Sequence, residues 1–474
     1  KKWILYRHTN DFDLLIKIAQ VLKSYSKTTI TKAEKERLNM RLREQGLYRE
    51  RNPELPLDTI NHKINQLSYY MFGYQAKIDG IDRFMFSPLG NLYLKNSNDK
   101  AKATKIFITM LWSVQYQHPH SGTNKEFQLY PFRLVYKLLL DKRLDYKLYA
   151  FEIAYAVVFE KEITIEIYEN LVNDILALRK LSDKKLAELF ENDRHTYVNS
   201  AYEWDYYTST LFQNAGVLDK TDGETICSLQ HGNKNTYRKI TRNIVSIPDT
   251  LFNFVLLLDK QDSFLKKPLL LNDKERLKID IIKEIYNFYP DILLNEIGEQ
   301  DAKLSRCLDL PRLIEQYANN PENKTAKLFE NTLVEGFDMF YNVEVTGFGE
   351  AGHTDIECLY TTEKKKFAVE AKSTANKLSS INVGRLREHR EKIGGEYTIV
   401  VTPRYVPAAK RDIIETPNVI ILARTFAEYL YCCIDNGIRE IDYADFDNII
   451  VNNLGKDISS NISTLTLTKF ASSC

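Results

Sequence analysis

AGHTDIECLYTTEKKKFAVEAKST, residues 351–374, reads as two short alternating segments separated by the polar, charged stretch Thr361–Lys366. Period-two alternation on either side of such a turn predicts a β-hairpin. Asp355 lies near the start of the first strand and Glu370 near the end of its antiparallel partner, so pairing brings the two carboxylates side by side. Successive side chains on a strand face opposite ways, which puts Glu370 and Lys372 on one face and turns Ala371 away.

Paired acids of this kind hold Mg2+, and a neighbouring lysine orients a water and balances charge on a phosphate. Phosphodiester hydrolysis needs those parts. The competing reading is a solvated strand end, because Glu-x-Lys also occurs at Glu322/Lys324 and Glu363/Lys365 in a chain with 27% charged residues. Those two copies read as loop or turn. Glu370/Lys372 alone ends an apolar strand, Phe367-Ala368-Val369, opposite a strand that carries an acid.

Upstream, Thr325–Phe340 has helical spacing, with Ala326, Phe329, Leu333, Phe337 and Phe340 as its apolar stripe and Thr325 as N-cap. Glu330 falls roughly 60° from the centre of that stripe and leans toward the hairpin, whereas Glu335 falls on the far side. Glu330 is read either as a further ion ligand or as an ordinary helix-border acid.

The order of a helix with Phe329-Glu330, a strand with Asp355-Ile356-Glu357 and a strand ending Glu370-Ala371-Lys372 resembles the PD-(D/E)XK nuclease core of restriction endonucleases, with Thr354 where the motif has proline. More narrowly, the chain resembles type IIS enzymes of the AlwI kind, among them PleI, MlyI and the nicking enzyme BstNBI. The resemblance is carried by the last third and is loose before it. It implies catalysis by Asp355, Glu370 and Lys372 with Glu330, and metal binding by Asp355, Glu370, the Ala371 carbonyl and Glu330. Mg2+ is the implied cofactor, with Mn2+ expected to substitute. Double-stranded DNA is the implied partner, cut at an offset to leave 5′ phosphates. One centre cuts one strand, so double-strand cleavage needs a homodimer on DNA or sequential nicking, and host protection needs a separate methyltransferase.

The fold class expected is α+β and multidomain. Residues 1–140 form an N-terminal winged-helix recognition domain, mainly α, and residues 141–250 a second winged-helix-like one. Residues 251–320 form a helical connector and residues 321–474 an α/β PD-(D/E)XK domain of restriction-endonuclease type. The polar run at 318–323, with Pro321, marks the last boundary.

DNA contacts are expected from the basic stretch at 32–51 through Arg37, Arg41, Arg43, Arg49 and Arg51. On the helix at 57–77, Asn61, Lys63, Asn65 and Gln66 form the face opposite Leu57, Ile60, Ile64, Leu67 and Met71, and Asn91–Leu94 follows as part of a wing. Tyr237 and Arg238 sit in the basic run at 234–242, past a second expected wing at 217–229. Arg387 and His389 lie on the basic helix predicted over 379–393 and stopped by Gly394-Gly395. Each set also reads as a merely solvated surface.

A length of 474 residues with 44% apolar and 12% aromatic content suits two to four globular domains. The net charge of +1 says nothing for nucleic acid by itself. Six scattered cysteines argue against a zinc site or a disulfide framework. No apolar run reaches membrane-spanning length. Nothing points to secretion, so a bacterial cytoplasm is the expected compartment. Two other classes stay open: a winged-helix DNA-binding regulator with a degenerate nuclease domain, and a structure-specific or repair nuclease.

Overall fold

The computed structural model describes residues 1–24, 29–47, 57–78, 81–120, 125–230, 235–273, 278–290, 292–297, 302–347, 353–436, 438 and 440–470. The chain divides into two compact units. One comprises Lys1–Lys77, Ile81–Leu271 and Ile281–Gly298; the other comprises Glu299–Cys474 with the short pieces Ile78–Gly80 and Asn272–Asp280.

The N-terminal unit is mainly helical and is built round Lys100–Ser113, a helix buried on nearly every side from Ile106 to Ser113. A helix apolar all round must sit inside other helices. The Phe107 ring meets Phe12, Tyr70, Phe72, Tyr93 and Phe212 at centroid separations of 4.6–6.3 Å. Much of the aromatic content thus serves as core filling.

Helices Phe12–Ser24, Lys32–Glu44 and Asp58–Tyr69 precede a two-stranded sheet, Gly73–Ile78 with Ile81–Phe86. The expected wing strand Asn91–Leu94 is instead part of the helix Pro88–Lys95. Ser87 caps it, its Oγ accepting from Gly90 N at 2.9 Å, and Pro88 occupies the first turn, where its missing N–H costs nothing. A Cβ at Gly90 would lie 2.1 Å from the Phe72 carbonyl oxygen, so only glycine allows that approach.

The second expected wing also breaks up. Asp219–Thr221 pairs with Ile244–Ser246 in a sheet with Lys147–Tyr149, while Thr225–Gln230 pairs with Tyr237–Thr241. Residues 1–140 and 141–250 belong to one compact unit, and the stretch at 251–320 is not a separate connector. Asp249–Gln261, Lys278–Tyr286 and Ile292–Ile297 are helices, and the longest helix of the stretch, Ala302–Asn319, belongs to the C-terminal unit.

The C-terminal unit contains a five-stranded sheet in the order Asn418–Leu422, Thr398–Thr402, Lys365–Ala371, Ile356–Tyr360, Val343–Gly347. The first three strands are mutually parallel, and Ile356–Tyr360 runs antiparallel to both of its neighbours, Lys365–Ala371 and Val343–Gly347. Strands covered on both faces must be apolar throughout, and every residue of Thr398–Thr402 and Asn418–Leu422 is buried. Alternation divides their side chains. Ile399, Val401, Val419 and Ile421 join Phe367 and Val369 in the larger core, with Leu310, Ile314, Phe329, Leu333, Phe337, Phe426 and Leu430. Val400 and Ile420 point the other way, into a smaller core with Ile381, Leu386, Ala409 and Ile413.

The helix Ala326–Asp338 buries Phe329, Leu333 and Phe337, and Phe340 follows it into the core, but Ala326 is exposed. Thr325 is its N-cap residue without a capping bond: its hydroxyl donates to the Tyr317 carbonyl instead. The tail carries the helix Ser459–Phe470, whose Ile462 and Phe470 complete the larger core.

Candidate active site

The hairpin forms with Val369 opposite Ile356, so the next pair outward is Glu370 opposite Asp355. Thr354, buried, ties this end by donating from Oγ1 to the Val369 carbonyl at 3.2 Å. Asp355 Oδ2 accepts from Ala371 N at 2.8 Å. Glu370 lies beside Val400 of the parallel neighbour, on the face of the smaller core, and is fully buried. Lys372, two residues on, donates from Nζ to Glu370 Oε2 at 2.7 Å.

His389 completes the cluster. It was assigned above to DNA contact, but it is only 4% exposed and its Nδ1 lies 2.8 Å from Glu370 Oε1. The helix Val383–Ile393 turns that ring inward because Leu386, three residues earlier, anchors the same face. That i, i+3 relation was the available signal in the sequence. Gly394, at φ +65°, ends the helix in the left-handed conformation that glycine adopts without a Cβ penalty.

The electrostatics of the two acids differ. Burial, then the charge of Glu370, push the Asp355 carboxyl up to about 7, against the opposing effects of Lys372 and the Ala371 N–H. Burial also works against ionised Glu370, yet the charge and hydrogen bond of Lys372, with His389, hold it below the usual carboxylate range. Glu330 lies close enough to add to the rise at Asp355, while its own Oε2 accepts from Lys327 Nζ at 2.8 Å. Glu335 is exposed.

Among the described residues, no group of three or more His, Cys, Asp or Glu is gathered tightly enough to hold a metal ion. Asp355 and Glu370 are two hard carboxylates facing one another at this end of the hairpin. That suits Mg2+, which takes one or two carboxylates and fills its remaining positions with water and substrate phosphate oxygens.

The residues assigned to DNA are distributed unevenly. Arg37, Arg41 and Arg43 are exposed on the helix Lys32–Glu44, with Arg37 Nη1 2.6 Å from Glu34 Oε1. Arg49 and Arg51 lie outside the described residues. On Asp58–Tyr69 the expected outward face is largely covered. Gln66 is fully buried with Nε2 donating to the Thr9 carbonyl at 3.0 Å, and Lys63 is 8% exposed. Asn65, half-buried, accepts from Gln75 Nε2 at 2.9 Å and lies 2.9 Å from His120 Nε2, and Asn61 is half-buried. This helix has neighbours on more than one side, so the face opposite Ile60, Ile64 and Leu67 is not the solvent face. Tyr237 is exposed, Arg238 lays its guanidinium 3.8 Å from the Tyr202 ring centroid, and Arg387 is exposed. No helix among the described residues is long and apolar enough to cross a membrane.

Comparison with known proteins adds the family. Residues 1–261 match the family described as "Type II restriction endonuclease HgaI, N-terminal domain". The chain is 47% identical over 477 residues to the Type II restriction enzyme HgaI of Avibacterium volantium, covering 99% of this chain and 97% of that protein. Among solved structures, the restriction endonuclease FokI bound to DNA aligns over 96% of this chain and 99% of its own, at 11% identity and a TM-score of 0.30. The BpuJ1 endonuclease binding domain, in complex with pyrene- and phenanthrene-modified DNA, aligns over 60% of this chain and 94% of its own, at 16% identity and a TM-score of 0.36. Neither structural likeness is strong enough to bear on the fold. The near full-length identity instead shows the family: the chain belongs to the HgaI family of type II restriction endonucleases.

Proposed function

We propose that this restriction endonuclease is of type IIS. In this reading the N-terminal unit recognises double-stranded DNA and the C-terminal unit, a PD-(D/E)XK domain like that of the AlwI kind, hydrolyses phosphodiester bonds at an offset. The observation that carries the reading is the facing pair Asp355 and Glu370 at the end of a hairpin, with Lys372 Nζ 2.7 Å from Glu370. Asp355 and Glu370 would hold Mg2+, or Mn2+ in its place, with the Ala371 carbonyl as a further donor; Glu330, paired with Lys327, is not gathered with them closely enough to serve as a third acid ligand. When bound, such an ion polarises a phosphoryl oxygen and offsets developing charge. The raised pKa of Asp355 supports this, because two acids that repel each other in a poorly solvated site favour a divalent cation.

The chain's own groups have separate tasks. Lys372 orients the water that attacks phosphorus in line with the departing 3′ oxygen, leaving a 5′ phosphate and a 3′ hydroxyl. Glu370 holds that ammonium in place. In the N-terminal unit, three helices followed by the pair Gly73–Ile78 and Ile81–Phe86 suit a winged-helix module, with Arg37, Arg41 and Arg43 facing phosphates. Tyr237, Arg238 and Arg387 are further DNA-facing candidates. A single centre cuts one strand, so two chains on DNA or successive nicks complete the break, and a separate methyltransferase protects the host DNA in a bacterial cytoplasm.

Digestion of a duplex library with Mg2+, followed by sequencing of the ends, tests the reading. Ends at a fixed distance from one short motif, lost in Lys372→Ala, are expected. Scattered ends, or full activity in Lys372→Ala, would overturn it.

A further inference from the structure

We propose that His389 is a positioning residue that orients Glu370 for divalent-ion binding, an inference resting on the reading of Asp355 and Glu370 as ion ligands. The two oxygens of Glu370 have different partners: Oε1 meets His389 Nδ1 at 2.8 Å and Oε2 meets Lys372 Nζ at 2.7 Å. The last torsion of a glutamate is broad, so an untethered carboxylate turns freely about it. Binding Oε1 on the core side sets the carboxylate plane and leaves Oε2 aimed at the side where Lys372, itself partly exposed, meets solvent.

A carboxylate can only accept, so a hydrogen bond between the two groups has the ring nitrogen of His389 as its donor. The ring is itself held. Asn382 caps its helix by accepting from Arg385 N, Leu386 packs in the smaller core, and Arg390 Nη1 donates to Asn418 Oδ1 at 3.1 Å and Thr398 Oγ1 at 3.3 Å. A side chain this buried does not reach a phosphate; it acts through the acid it touches. Groups that orient a metal ligand from behind change affinity by about 10–100-fold when removed.

The full-length protein is compared with His389→Ala, His389→Asn and His389→Gln. The amide nitrogen of asparagine takes the place of Nδ1; that of glutamine takes the place of Nε2. Two quantities are read: the Mn2+ dissociation constant of the DNA-free protein by calorimetry, and the Mg2+ concentration giving half-maximal cleavage. In His389→Ala both rise by about 10–100-fold while DNA affinity in Ca2+ is unchanged. His389→Asn returns both toward wild type and His389→Gln does not. Wild-type Mn2+ affinity in a folded His389→Ala protein would overturn the inference, as would a loss that His389→Asn leaves unrepaired. Asp355→Asn separates the two layers. If it binds Mn2+ like wild type, the ion-ligand reading itself fails; if it loses Mn2+ while His389→Ala does not, only the role of His389 falls.

Discussion

The end of the hairpin in the C-terminal unit and the helix Asp58–Tyr69 in the N-terminal unit both bury polar side chains, and they do so in opposite ways. Glu370 is surrounded by Lys372 and His389 and faces Asp355, a second acid whose carboxyl is pushed up to about 7. Gln66, equally buried, gives its amide to a backbone carbonyl, that of Thr9. The first is charge set against charge where solvent is scarce, an arrangement that costs stability and is found where chemistry is done. The second is a neutral hydrogen bond that closes a core. The identity of the partner, rather than burial of a polar group, separates a candidate site from a structural brace.

The largest effect that sharpens this contrast is on cleavage. Asp355→Asn is expected to slow single-turnover cutting by about 10³-fold or more while specific DNA binding in Ca2+ persists. Gln66→Ala is expected to cut normally per folded molecule. Loss of binding along with cutting in Asp355→Asn would break the division of labour between the units. Next in size is stability. Gln66→Ala leaves the Thr9 carbonyl without its donor, so urea unfolding should show a loss of about 1–3 kcal/mol. A normal midpoint with altered sequence preference would return Gln66 to base reading.

A smaller effect concerns the exposed basic helix. Arg41→Ala is expected to weaken binding evenly across DNA sequences and to lower the salt slope of log affinity by about one unit. A change in sequence preference at constant slope would move Arg41 from phosphate to base contact. The last is a pH effect on melting without metal. The Asp355 carboxyl is raised from 3.8 to about 7, so between those values the folded chain holds more protons than the unfolded one. Its contribution to stability is full below the lower value and is lost as pH rises through the upper one. Asp355→Asn removes that loss, so the difference in melting temperature should move in the variant's favour from about pH 5 to about pH 8. A difference that does not change with pH would remove the electrostatic half of the contrast.

Local periodicity made part of this protein legible. Alternation alone placed Glu370 and Lys372 on one face and Asp355 opposite Glu370, because a strand has two faces and a short turn leaves few registers. The spacing of Phe329, Leu333 and Phe337 identified the core side of their helix, and Gly394 marked the end of another. Ser87-Pro88 was an equally local helix signal, outweighed by the β-like look of the residues after it.

Other features depended on elements far apart in the chain. The helix Ala302–Asn319 belongs to the C-terminal unit because Leu310, Ile314 and Ala318 meet Phe426 and Leu430 more than a hundred residues later. The tail becomes helix where Ile462 and Phe470 find the same core. A helix, unlike a strand, can be covered on several sides, so spacing identified one buried face of Asp58–Tyr69 but not the packing that also encloses Gln66 and Lys63. His389 reaches Glu370 for the same reason: helical spacing carried it to the inner side of its helix, and only the folded sheet put a buried carboxylate there to meet it.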